Sequence, residues 1–263
     1  MELQWNRIYS SRIGYKLKEI KFVPTQGMEH VLAPTPIKNH VPDWYKNAEM
    51  YDTDGNAALK TCVPFLDAML SGYTLTTWED LRITQKRNVI TIEDGEIQED
   101  GTFIPKANQH QHGHDHGSKG NVIKSRMVNE RLSTSGSTIP RPQGHLTNHL
   151  VWSGVWGMKA PRGHSILVTH PFNRFDLPFT TVSGIIDSDG WVPPGNIPFF
   201  LQKGFNGVIP KGTPFAQIFP YKRDKWSMSI NKILQARAFF DGKIDRSEVG
   251  YYKKKFWNRK SYN

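Results

Sequence analysis

Three groups of residues have the types and spacing to do chemistry. The first is Asp187 and Asp189 in Gly184-Ile-Ile-Asp-Ser-Asp-Gly190. Two positions apart on a strand, they project to one face. Paired carboxylates can hold Mg²⁺ through water, or one of them can act as a general base. Upstream, Pro161-Arg162-Gly163 offers a guanidinium suited to bidentate phosphate recognition. The competing reading of Asp187-Ser-Asp-Gly190 is a β-turn closed by Asx caps, and composition weighs the two readings equally. The second group is His110-Gln-His112-Gly-His114-Asp-His116. Alternate histidines on an extended segment share a face, so with Asp115 they could bind zinc, nickel or iron, or share an ion on an oligomer axis. Their Gly- and Ser-rich surroundings offer no rigid support, which favours adventitious metal binding. The third is Gln217, which stands in the apolar run Phe215-Ala-Gln-Ile-Phe219 and needs a buried hydrogen-bond partner there.

The remaining reactive side chains read as structural. Cys62 is the sole cysteine, which excludes an internal disulfide and a cysteine-based zinc cluster; Thr61-Cys-Val-Pro-Phe-Leu66 predicts a buried thiol. His145, His149, His164 and His170 are expected to be core or turn histidines with backbone partners.

The elements that must position these residues are mostly strands. Tyr15–Val23 alternates in character and ends at Pro24; Tyr73–Trp78 and Leu81–Thr84 are rich in β-branched and aromatic residues. Asn88–Ile92 predicts a strand closed by a tight turn at Asp94-Gly95. Short helices are expected at Val41-Pro-Asp-Trp-Tyr-Lys46 and at Val63–Leu70, the latter stopped by Gly72. A turn with Pro210 second and Gly212 at positive φ leads into the strand of Gln217. The closely spaced apolar runs of 165–219 have the cadence of a β sandwich or barrel. Residues 105–148, polar and Gly-rich, read as a surface insertion, and Asn231–Phe240 as a short C-terminal helix.

The chain of 263 residues carries 22 glycines, 17 prolines and a net charge of +10, values that indicate a loop-rich single β domain rather than a helical bundle. No apolar run reaches the ~20 residues of a spanning helix, and the first residues lack a signal-peptide pattern, so the protein is expected in the cytoplasm, not at a membrane or secreted. From Tyr221 onward 12 Lys/Arg face 4 Asp/Glu. The basic aromatic tail, 241–263, could touch single-stranded nucleic acid, stay solvated, or dock on a neighbouring subunit.

Three segments, in this order, resemble the trimeric dUTPase and dCTP deaminase superfamily: Pro161-Arg162-Gly-His-Ser165, Gly184-Ile-Ile-Asp187-Ser-Asp189, and Ile209-x-x-Gly212-x-x-x-Ala216-Gln217-Ile218. The resemblance covers about 60 residues. It implies a β-clip, a distorted barrel assembling as a trimer. It also implies that Arg162, Ser165, Asp189 and Gln217 contact a nucleotide, while Asp187 activates water beside Mg²⁺ held by the triphosphate. Gly190 stands where that family has a tyrosine, and the tail replaces its Gly-rich arm. The chain as a whole also resembles an uncharacterised family found in tailed phages of marine cyanobacteria and in some bacteria. The resembling segments are Val41–Lys46, Cys62–Ala68, Pro161–Leu167 and Gly212–Arg223. The resemblance implies residence in an infected host cell or a virion. The expected function is a non-catalytic structural or binding module of a homo-oligomer. The alternatives are a Mg²⁺-dependent deoxynucleoside triphosphate hydrolase, or a metal protein built on His110, His112, His114 and His116.

Overall fold

The computed structural model describes residues 18–87, 89–106, 121–130, 140–192, 194–248 and 250–263. The histidine run therefore lies outside the described residues. Within them the fold is mainly β, in four open sheets with short helices at the periphery.

The central sheet runs β13 (Gly184–Ile186), β11 (His164–Thr169), β16 (Pro214–Lys222), β3 (Tyr73–Thr76) and β2 (Thr35–Pro36). All its pairings are antiparallel. The first five residues of β16 are buried, as expected of a strand flanked on both edges and covered on both faces. A second sheet runs β12 (Phe179–Thr181), β14 (Ile197–Leu201), β9 (Leu150–Trp152) and β8 (Val128–Glu130). Aromatic stacking joins the two sheets. The Trp152 ring stacks 4.1 Å from Phe199 and 4.8 Å from Phe215, and meets Phe179 edge-on at 5.1 Å. Such contacts add about 0.5–1.5 kcal/mol each beyond area burial.

The third sheet runs β15 (Gly207–Ile209), β4 (Asp80–Lys86), β5 (Val89–Ile97) and β6 (Phe103–Pro105), with β7 (Val122–Lys124) parallel to β5. Leu81 and Ile83 of β4 and Ile90 and Ile92 of β5 enter the core, so the period-two reading of these segments holds. The turn expected at Asp94-Gly95 does not form. Asp94 continues the inward phase of Ile90 and Ile92, and accepts bonds from Ser125 Oγ (2.5 Å) and Arg126 N (2.6 Å). Gly95 lets β6 approach: a Cβ there would lie 2.3 Å from the Phe103 ring and 2.5 Å from the Ile104 carbonyl. The chain turns later, at Gly101, with φ +83°.

β1 (Lys21–Pro24) pairs with β10 (Trp156–Lys159) in a two-stranded sheet. The predicted short helices form as α1 (Asp43–Lys46) and α2 (Val63–Leu70). Gly72, at φ +86°, ends the latter segment; a Cβ there would meet the Ile218 carbonyl at 2.3 Å. The segment 105–148, expected as a surface insertion, supplies β7 and β8, and its Met127 and Val128 are core residues. C-terminal helices α3 (Gln235–Ser247) and α4 (Tyr251–Lys255) complete the chain.

Cys62 is exposed rather than buried. It is the residue before α2, where its carbonyl accepts from Leu66 N, and its side chain lines a concavity of about 640 Å³ facing Tyr251 and Phe256.

Candidate functional site

Pro161-Arg-Gly-His is a turn: His164 N donates to the Pro161 carbonyl, and Gly163 takes the third position at φ +76°, as in a type II turn. Arg162 is thereby left at the apex, exposed, and its guanidinium has no hydrogen-bond or ion-pair partner among the described residues. The turn feeds β11, which buries Ser165 completely. β13 ends at Ile186, so Asp187 and Asp189 lie on the turn beyond it and not along one strand face. Asp189 turns to a distant partner: its Oδ2 accepts from Gly163 N, 26 residues earlier, at 2.8 Å, a bond across the site and not the local bond of an Asx cap.

The cation that gathers these groups is Arg223, immediately past β16. Its backbone N donates to the Gly163 carbonyl at 2.9 Å. Its Nη1 donates to the His164 carbonyl (2.9 Å), Ser165 Oγ (3.2 Å) and Asp189 Oδ1 (3.1 Å), with Asp187 Oδ1 at 3.4 Å. Its Nη2 pairs with Asp189 Oδ2. Ser165 Oγ in turn donates to Asp187 Oδ1 at 2.5 Å. The Arg223 guanidinium and the Gly163 N–H together hold the Asp189 carboxyl down at about 2, and Asp189 raises the Arg223 pKa. Sequence reasoning missed Arg223 as the functional cation. The signal is topological: antiparallel pairing of His164 with Lys222 puts residue 223 opposite residue 163.

Three histidines meet backbone carbonyls, as expected: His145 at Gln143, His164 at Arg162 and His170 at Arg174. His149 is buried with its ring edge-on to Phe200. His164 Nδ1 meets the Arg162 carbonyl at 3.1 Å, and its Nε2 meets Lys18 Nζ at 3.0 Å.

Gln217 has the buried partners its position demands. Its Oε1 accepts from Phe172 N (2.7 Å), and its Nε2 donates to the carbonyls of Ala68 (2.8 Å) and Ser71 (2.7 Å). With no exposed surface, this amide ties β16 to α2 and to the loop after β11. The turn before it is shifted from expectation: Thr213 N donates to the Pro210 carbonyl, which makes Pro210 the first residue and Gly212, at φ +83°, the third.

Among the described residues no group of three or more His, Cys, Asp or Glu side chains could hold a metal ion. Arg223 already binds both carboxylates at the place where a protein-held magnesium would need them, so the residues present do not fit that ion. A second concavity, of about 780 Å³, lies at the β4–β5 end of the molecule. Arg87, Arg141 and Lys203 line it together with Asn148, and among the described residues no carboxylate does. Its character suits an anion. Neither concavity is lined by Arg162, Ser165, Asp187, Asp189 or Gln217. Among the described residues no helix is long and apolar enough to cross a membrane. The chain matches no protein-family model, and no curated protein matches it.

Proposed function

We propose that the chain is a non-catalytic structural module, on a β-clip scaffold, that acts within a homo-oligomer. The observation that carries this reading is the use made of its acidic pair. A water-activating carboxylate must keep a free lone pair aimed at its water and an open place for substrate phosphates. One oxygen of Asp187 is taken by the Ser165 hydroxyl, and Asp189, its would-be companion, is held in a fork by Arg223, which fills the place beside the pair. These bonds join the ends of β11, β13 and β16. The constellation that resembles a nucleotide site is thus accounted for as the clasp of a β corner. Gly190, in place of an aromatic residue under a sugar, agrees with this.

The test is a panel of deoxynucleoside triphosphates incubated with Mg²⁺, comparing the parent protein with Asp187→Asn. The module predicts no turnover above background for either. Turnover by the parent that disappears in Asp187→Asn would establish the hydrolase instead. That second reading retains one observation in its favour, because the Asp187 side chain is 70% exposed and so within reach of a ligand.

The concavity of Arg87, Arg141 and Lys203 supports a binding role for the same module, toward a phosphate-bearing ligand such as a nucleotide. Fluorescence anisotropy with a labelled nucleotide should show binding that Arg141→Glu together with Lys203→Glu abolishes. Equal binding by parent and variant would remove the groove from consideration.

A further inference from the structure

Beyond β16 the chain leaves the body. Every residue from Tyr221 to Phe240 is exposed. Among them Trp226, Met228, Ile230 and Ile233 are 87–90% exposed, and Leu234, Phe239 and Phe240 are 58–63% exposed. At about 150–250 Å² for a large side chain, these seven present on the order of 1,000 Å² of surface. The largest apolar patch of an ordinary monomer is about 300–600 Å², whereas one side of a stable protein–protein interface buries about 800 Å². The arm is not a frayed end. Its root is fixed by the six contacts of the Arg223 side chain and backbone described above. Its far end is fixed by Trp257 Nε1 and Lys260 Nζ on Asp67 Oδ2, and by Tyr262 packed edge-on against Tyr73.

The first half of the arm has the pattern of a strand without being one. Trp226, Met228 and Ile230 alternate with Ser227 and Ser229. Among the described residues, Lys225 to Ile230 make no backbone hydrogen bond. The same chain carries a strand that lacks a second neighbour among the described residues. β13 is the terminal strand of the central sheet and, among the described residues, pairs only with β11. Its Ile185 is 64% exposed, and Trp191, just beyond, is 67% exposed. An open edge with apolar side chains is a template for an added strand.

We propose that the arm of one copy adds to the β13 edge of a second copy: Trp226–Ile230 pairs with Gly184–Ile186, and the apolar face of the arm covers Ile185 and Trp191. The inference rests on the homo-oligomer reading above and names its connector. Donor and acceptor are different patches, so the contact is heterologous, closing into a ring or being exchanged within a dimer. The chain's net charge of +10 opposes association between copies, so added salt strengthens it.

The test uses sedimentation velocity and light scattering of the full chain from about 1 to 100 µM, across the affinity range of ordinary oligomers. Its two variants are Met228→Glu with Ile230→Glu on the arm, and Ile185→Glu on the edge. All three positions are exposed, so circular dichroism should be unchanged. Each variant alone should weaken association about 30-fold or more, the loss of one hot-spot side chain. Mixed together they should regain a complex, because the edge variant keeps a sound arm and the arm variant a sound edge. An oligomeric parent whose variants stay oligomeric overturns the arm inference and leaves the homo-oligomer reading standing. Variants that dissociate but fail to combine on mixing overturn β13 as the seat. A parent that is monomeric throughout overturns both readings, leaving the arm to its own body or to another partner.

Discussion

Arg223 and Asp189, 34 residues apart in sequence, meet as a two-point fork, Nη1 to Oδ1 at 3.1 Å and Nη2 to Oδ2. The planar guanidinium matches the carboxylate geometry, and only arginine supplies both donors at fixed spacing. Arg223→Lys should therefore lower the denaturation midpoint nearly as far as Arg223→Ala, whereas Arg162→Ala, at an exposed turn apex, should leave it unchanged. Chemical denaturation of the three variants checks the ranking. Equal midpoints for Arg162→Ala and Arg223→Ala would contradict the assignment of Arg223 as the clasp.

The same pair sets an acid limit. The Asp189 carboxyl ionises at about 2 in the folded chain, against about 3.9 when unfolded. A depressed folded value contributes stability that is complete above the unfolded value and is lost as pH falls toward the folded one. Between about pH 4 and pH 2 the parent should lose stability more steeply than Asp189→Asn, while near neutrality the parent should be the more stable. Parallel stability–pH curves for the two proteins would show that the fork contributes nothing.

Much of this architecture is legible in the sequence. β4 and β5 announce themselves through alternating Leu81, Ile83, Ile90 and Ile92, and α2 through a proline in its first turn and Gly72 at its end. Wrong or missing readings arose where a residue answers to a partner distant in sequence. Asp94-Gly95 has the letters of a hairpin turn, yet Asp94 is held by Ser125 and Arg126, and Gly95 makes room for Phe103. Trp152 is the centre of the core, because β9 lies between β14 and β8 and brings it against Phe199. Asp187, Asp189 and Ser165 were found by local motif, but Arg223 was not, since nothing near it in the chain says that β16 returns beside β11.

Gly95→Ala tests the close approach of β5 and β6. The added methyl meets the Phe103 ring and a backbone carbonyl well inside contact distance. The ring can turn away, but the carbonyl belongs to a paired strand. Overpacking of this kind costs about 1–3 kcal/mol, and the upper end is expected in urea denaturation. A loss below about 0.5 kcal/mol, the level of a neutral surface change, would mean that β6 is free to move.

Gln217 offers a sharper case. Replacement by Met preserves volume but leaves Phe172 N and the carbonyls of Ala68 and Ser71 without their partner. Unsatisfied buried groups cost about 1–3 kcal/mol each, so Gln217→Met should destabilise by at least about 2 kcal/mol. Gln217→Glu should also be destabilising, because a carboxylate cannot donate to two carbonyls. Were Gln217 a ligand-binding residue instead, Gln217→Met would keep its stability and lose only binding.

Ser188 should behave in the opposite way. Its side chain lies between the two clasped aspartates with no exposed surface, and its hydroxyl has no hydrogen-bond partner among the described residues. A buried hydroxyl that has given up water without a replacement opposes folding by about 1–3 kcal/mol, while the cavity left by one oxygen is small. Ser188→Ala should therefore leave the protein as stable as the parent or raise its stability by about 1 kcal/mol. The backbone bonds around it, from Ala160 N to the Ser188 carbonyl at 3.3 Å and from Ser188 N to the Ile186 carbonyl at 3.1 Å, do not depend on the side chain. A marked loss of stability in Ser188→Ala, measured by thermal unfolding at neutral pH, would reveal a partner for this hydroxyl and reopen the turn between Asp187 and Asp189 as a binding site.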